Sequence, residues 1–373
     1  MQTSSCTRRR FVQAAGTGLA ASGLLFPQTR ASAAAPSSGA AVASIDCQSH
    51  LYCPEHLALM EKRTADPVVY RKDGVRIVKM GDWERKVLPN HSDLDAKLAA
   101  MDANHIAWTA LSINDPGPEW FGADGPAVAQ MLNDYVAAIV RRHPTRLFGL
   151  CVLPLQDEKA AAAELDRCIG SLAMKGVLLY TNLAGAFPDE PQFRWLFARA
   201  EELDVPLLLH PALPVTSPQV KGYEMISSLG NMFDDTIALT RIIMSGLLDQ
   251  HPRLKLVCPH LGGTLPFIIG RLDHQVSVLK RGPKYLTKTP SEYLRQVFLD
   301  IVSPSSQAIR MVSDMVGPDR LLFGSDHPWV APKLILDALR GAQLSAENEA
   351  KVLHGNARKL FHLDDVGRYG PSQ

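Results

Sequence analysis

Between Val42 and Ser325 eight short apolar runs recur, with helix-like stretches between them. This alternation limits the fold more than any other feature. Strands separated by helical segments pair in parallel, and a parallel sheet needs helices over its faces. The runs fall at residues 42–46, 106–111, 147–153, 176–180, 206–210, 255–259, 297–300 and 321–325. Several are apolar throughout, as in Val205-Pro206-Leu207-Leu208-Leu209, which suits strands covered on both sides. Amphipathic stretches at 159–172, 193–203, 236–248, 266–279 and 305–316 supply the helices. No Gly-x-Gly-x-x-Gly follows the first run, which weighs against an open dinucleotide-binding sheet. Eight strands with helices between them predict a closed (β/α)₈ TIM barrel over residues 43–365. The segment 51–90 is irregular and mixed in charge, and is expected to form an insertion over the barrel mouth after the first strand.

The formal net charge of +1 gives no reason to expect nucleic acid or an anionic membrane as partner. Beyond the N-terminus no apolar stretch is long enough to span a membrane, so no stable insertion is expected in the mature chain. The N-terminus differs. Thr7-Arg8-Arg9-Arg10-Phe11-Val12-Gln13 resembles the twin-arginine export motif, a moderately apolar run reaches Phe26, and Ala31-Ser32-Ala33 offers a cleavage point. Residues 1–35 are therefore expected to be a twin-arginine signal peptide, 36–42 a linker and 366–373 a tail, with the mature protein in the bacterial periplasm or outside the cell. Six cysteines lie at 6, 47, 53, 151, 168 and 258, with no Cys-x-x-Cys pair, so buried free thiols are expected.

The C-terminal ends of barrel strands form the active-site face. Four runs end in metal-capable residues. The first leads into Asp46-Cys47-Gln48-Ser49-His50, where strand alternation lets Gln48 and His50 face one centre. The fifth ends in His210-Pro211, the sixth in Pro259-His260 and the eighth in Ser325-Asp326-His327-Pro328. One such histidine alone is an ordinary hydrogen bonder, but four strand ends together point to a shared metal site. Histidine nitrogens and a carboxylate suit zinc, or manganese where oxygen donors dominate. His143 and His251 read as helix ends, Lys175 as a loop charge, and His327 as pointing away from the pocket. Ser325 has no nucleophile-elbow context. Trp83, Trp120 and Trp329 are candidate pocket walls.

At these residues the chain resembles the amidohydrolase superfamily, and within it the branch of aminocarboxymuconate semialdehyde decarboxylase. The resemblance runs from about Ile45 to Phe361. It rests on His260-Leu261-Gly262-Gly263-Thr264-Leu265-Pro266-Phe267-Ile268-Ile269-Gly270-Arg271, on Gly324-Ser325-Asp326-His327-Pro328, and on the structural closing segment Gly355-Asn356-Ala357. It implies His50, His210 and Asp326 as metal ligands and His260 as acid/base. It implies Arg271 as an arginine reaching a substrate carboxylate in a neighbouring subunit, hence a homodimer, and Arg76 as a second such arginine on the insertion. Guanidinium–carboxylate pairing explains arginine at both places. Two departures stand out: Gln48 replaces the first histidine of a His-x-His, offering only a neutral amide oxygen, and Ala212 replaces an aromatic residue.

The resemblance implies a metal-dependent, non-oxidative decarboxylase of a small unsaturated or aromatic carboxylic acid, in which His260 and metal-held water protonate the carbon that loses the carboxylate. The alternative is a hydrolase of a lactone or cyclic amide using the same parts. A third reading, a metal-poor periplasmic binding protein, is supported by Gln48 alone.

Overall fold

The computed structural model describes residues 43–363. The expected signal peptide, linker and tail lie outside the described residues, as do positions 364 and 365 at the end of the expected barrel range. The strands are β1 (Ser44–Asp46), β2 (His50–Leu51), β3 (Val68–Lys72), β4 (Val75–Met80), β5 (Trp83–Val87), β6 (Ile106–Ile113), β7 (Leu147–Cys151), β8 (Gly176–Tyr180), β9 (Leu207–His210), β10 (Leu256–Cys258), β11 (Phe298–Asp300) and β12 (Leu321–Leu322). Parallel pairing runs β1-β6-β7-β8-β9-β10-β11-β12, with β2 continuing β1 beside β6. Backbone bonds from Cys47 N to Phe323 O (2.8 Å) and from Asp326 N to Gln48 O (2.9 Å) join the last strand to the first. The barrel expected from the alternation is therefore present and closed.

Burial explains the apolar runs. Every residue of β7 and β8 is buried, because the barrel interior packs one face and the helices the other. Helices start where side-chain oxygens accept orphan amides: Asp93 caps Leu94–Ala103, Asp157 caps Glu158–Gly170 and Ser305 caps Ser306–Val316. His143 ends Gly125–Arg142 as expected. Asn356 ties the closing segment to the barrel, its Nδ2 donating to Pro318 O and Leu321 O at 2.8 Å each. Cys47, Cys53, Cys151, Cys168 and Cys258 are free and buried. Among the described residues no helix is long and apolar enough to cross a membrane.

Two expectations need correcting. The insertion is not irregular: β3, β4 and β5 form an antiparallel meander. Its first turn is Asp73-Gly74, both left-handed at φ 51° and 79°, joining Lys72 to Val75 in register. That two-residue turn suits the twist of paired strands. Several barrel strands also stop short of the expected ends. The last covers Leu321–Leu322 only, because Phe323 N turns to Val352 O and Ser325 bonds Asp46.

Candidate active site

The strand ends bring His50, His210, His260 and Asp326 around one centre. His50 Nδ1 lies 2.7 Å from Ser112 Oγ, and that hydroxyl donates to Ser49 O at 3.1 Å. Ser112 must therefore accept from Nδ1–H, so that in the neutral ring the lone pair sits on His50 Nε2, 3.3 Å from Asp326 Oδ1. His210 Nδ1 lies 2.8 Å from Pro211 O, a carbonyl that can only accept, so its Nε2 is bare as well. The two rings meet edge to face at 4.4 Å. Burial, reinforced by the neighbouring His50 and His260, holds the His210 pKa well below its ordinary value and keeps the ring neutral.

Ligand atoms of His50, His210 and Asp326 all lie within 4.8 Å of one another. Both Nε2 atoms and Gln48 Oε1 are shut off from water and make no hydrogen bond among the described residues. Each such group costs about 1–3 kcal/mol when left unsatisfied. Imidazole lone pairs converging beside a carboxylate fit a divalent cation, which would satisfy them together. Gln48 Nε2 lies 3.5 Å from Asp326 Oδ1, so the residue stands at the cluster, with only a neutral oxygen to offer.

Local backbone geometry places the acidic and basic partners. Asp326 is left-handed at φ 58°, held between Ser325, whose amide and hydroxyl donate to Asp46 at 2.9 and 2.6 Å, and the bond from its own amide to Gln48 O. His260 and Leu261 are left-handed too, at φ 53° and 57°. The turn continues through Gly263, where a Cβ would stand 2.4 Å from Met232 O, so only glycine lets the loop press on the helix Asn231–Met244. From that helix Asp235 Oδ2 meets His260 Nδ1 at 2.8 Å, while Asp300 accepts from His260 N at 2.8 Å. Burial works against the imidazolium, but the Asp235 charge and hydrogen bond, with Asp300 and Asp326 behind it, hold the His260 pKa up at about 9.

Lys97 is fully buried below the loop, bonding Ser49 Oγ, His327 Nδ1 (3.0 Å) and His327 O (3.2 Å). His327 thus faces Lys97 and not the cluster. Burial pulls the Lys97 ammonium down to about 7 against the attraction of Asp46 and Asp326.

The two arginines singled out in the sequence lie elsewhere. Arg76 is partly exposed on the meander, its Nε 2.8 Å from Glu61. Arg271 is exposed on Leu265–Asp273 and makes no ion pair among the described residues. The meander arginine that turns inward is Arg85, 7 % exposed, with Nη2 2.8 Å from Asp115 Oδ2 and its guanidinium 4.1 Å from the Trp83 ring and 5.7 Å from Trp329. Its charge is felt at His210. A surface hollow of 410 Å³ at Arg194, Ser245, Asp249 and Tyr285 holds none of these residues.

Sequence reasoning missed Asp235, Asp300, Ser112, Lys97 and Arg85. Asp300 ends a barrel strand and was open to the logic that found His210. Arg85 shares an alternating face with Trp83 and Val87, a pattern that announces a buried arginine. Asp235 and Lys97 sit on helices whose active-site facing has no signature in the sequence.

The family model for amidohydrolases matches residues 45–363, and the chain belongs to that family. It is 30 % identical over 300 residues to the gamma-resorcylate decarboxylase of a Rhizobium species, covering 76 % of this chain and 92 % of that one. It is 26 % identical over 294 residues to the 2-amino-3-carboxymuconate-6-semialdehyde decarboxylase of Dictyostelium discoideum, covering 76 % and 80 %. Among solved structures, a dihydroxybenzoic acid decarboxylase from a Polaromonas species, with bound manganese and 2-nitroresorcinol, superposes with a TM-score of 0.73 at 25 % identity, over 88 % of this chain and 99 % of that one.

Proposed function

We propose that the protein is a metal-dependent, non-oxidative decarboxylase of a small aromatic carboxylic acid, using manganese held by His50, His210 and Asp326. The observation that carries this reading is the pairing of two bare, buried imidazole Nε2 atoms with a neighbouring His260–Asp235 proton carrier. The relatives' activities support the reaction, and the manganese-bound neighbour supports that metal over zinc. The cation would supply a fixed positive charge that orients and polarises the anionic substrate.

The chain's own groups do the rest. In the net reaction a proton replaces the carboxylate on carbon, and carbon dioxide leaves with the bond broken. His260 holds that proton on Nε2, since Nδ1 is committed to Asp235, whose charge stabilises the imidazolium. This suits decarboxylation, in which His260 delivers a proton, better than lactone hydrolysis, which needs a neutral base in the same place. Left-handed backbone at His260 and Asp326 and the Asp46–Ser325 bonds keep acid and ligand in place.

We place the protein outside the cytoplasm because of the twin-arginine-like leader at Arg8-Arg9-Arg10. We read it as a homodimer because Arg271 is exposed and, among the described residues, makes no ion pair, on a helix that also exposes Phe267, with Val278, Leu279 and Tyr285 exposed just beyond it.

The test is carbon dioxide release from a panel of benzoic acids by the manganese-loaded protein. Asp326→Ala should lose both metal, by elemental analysis, and activity. Asp235→Asn should keep the metal and lose roughly 10²–10⁴-fold in kcat. A fully loaded protein that releases no gas from any acid, or that places solvent oxygen-18 in a ring-opened product, would overturn the reading.

A further inference from the structure

Among the described residues at the same strand-end face, six polar side-chain atoms are shut off from water and make no hydrogen bond of good geometry: Tyr52 Oη, Asn114 Nδ2, both carboxyl oxygens of Glu119, Trp120 Nε1 and Tyr180 Oη. All come from the C-terminal ends of barrel strands or the loops after them. Tyr52 follows β2, Asn114, Glu119 and Trp120 follow β6, and Tyr180 closes β8 in register with His210 on β9. A Cβ on Gly117 would lie 2.3 Å from both Glu119 Oε2 and Tyr180 Cε2, so the carboxyl rests against the hydroxyl-bearing end of that ring.

Among the described residues Asp115 already neutralises Arg85 with its carboxylate and with a backbone carbonyl 3.1 Å from Nη2, and the Arg63 guanidinium, 3.4 Å from Trp120 O, is spent on backbone carbonyls. Glu119 has no counter-ion there. Burial, with Asp115 adding to it, pushes its carboxyl up to about 8, so at neutral pH it is an acid with one O–H to donate and one oxygen to accept. Burial, with Glu119 next, likewise keeps Tyr180 a phenol. Among the described residues neither Glu119 nor Tyr180 pairs with a cation. Such a pair matches a neutral oxygen substituent and penalises a carboxylate, which would enter without a counter-ion.

We propose that Glu119 and Tyr180 form a specificity subsite that takes a hydroxyl or oxo group on the substrate and excludes a second carboxylate, an inference that rests on the decarboxylase reading. No site residue singled out in the sequence belongs to this pair. Its consequence is that this enzyme acts on hydroxylated monocarboxylic acids and not on diacids.

The test measures dissociation constants by calorimetry, on the manganese-loaded protein, for the mono- and dihydroxybenzoic acids, benzoic acid and the benzenedicarboxylic acids, with carbon dioxide release recorded in parallel. Wild type should bind at least one hydroxy acid about tenfold or more tighter than benzoic acid and every diacid, as expected for a buried hydrogen-bonded substituent. Tyr180→Phe and Glu119→Ala should each erase most of that margin while leaving benzoic acid unchanged. Glu119→Gln, neutral and of the same shape, should keep it. Should Glu119→Ala not fold, Tyr180→Phe, which removes one oxygen atom, decides alone. The proposal falls if the margin survives in both variants, if all acids weaken equally, if a diacid binds as tightly as the hydroxy acids, or if no acid binds. Margins that behave as expected without gas release would overturn the decarboxylase reading and spare the subsite; gas release with margins indifferent to the variants would do the reverse.

Discussion

Glu119 shows how one residue links stability to pH. Its carboxyl titrates near 4.5 in an unfolded chain and at about 8 in the folded protein, because burial disfavours the charge. Between those values the folded state keeps a proton that the unfolded state has released. Stability therefore falls as pH rises through that window, and levels off above it. Glu119→Gln removes this dependence: its melting temperature should gain on wild type steadily from about pH 4.5 to 8, then hold a constant lead. A difference flat across pH would show that the carboxyl is not buried as a neutral acid. At this scale His50, His210, His260 and Asp326 were legible because strand ends in a parallel barrel share one face. Glu119 was not, since its environment is made by Tyr180 and Gly117 from other segments.

Among the elements, the meander is where sequence and structure part most. Its hairpin signal was present as Asp73-Gly74 between alternating residues, and the Trp83-x-Arg85-x-Val87 spacing gave one buried face. Mixed charge on the outer face, at Lys79, Glu84 and Lys86, obscured both. The Arg85–Asp115 pair docks this element on the loop after β6, with the two residues 7 % and 4 % exposed. Removing one partner leaves the other charge buried and alone, so Asp115→Ala should cost about 3–5 kcal/mol in urea denaturation. A loss under about 1 kcal/mol would mean the pair behaves as a solvated surface bridge. The barrel strands were easier to read, since their continuous apolar runs are what two-sided burial requires; their ends were overextended where the chain leaves the ladder to build the site.

For the whole molecule, one experiment joins export and assembly. Expressed with its own N-terminus in a twin-arginine-competent bacterium, the protein should be recovered from the periplasmic fraction, shortened by about the 35 residues assigned to the leader. Sedimented in that form it should run as a dimer, and Arg271→Ala should lower activity without dissociating it. A full-length cytoplasmic monomer would sink both parts. Alternation of apolar runs alone determined the barrel, because a parallel sheet can be buried in few other ways. The order of histidines and aspartate at strand ends determined where chemistry would lie. Only tertiary structure decided which groups tune it. The Ser112 and Pro211 acceptors that bare two nitrogens, the Asp235 that charges His260, and the Asp115 that claims Arg85 are brought in by the fold, and sequence periodicity records which face of an element is buried, not which partner waits there.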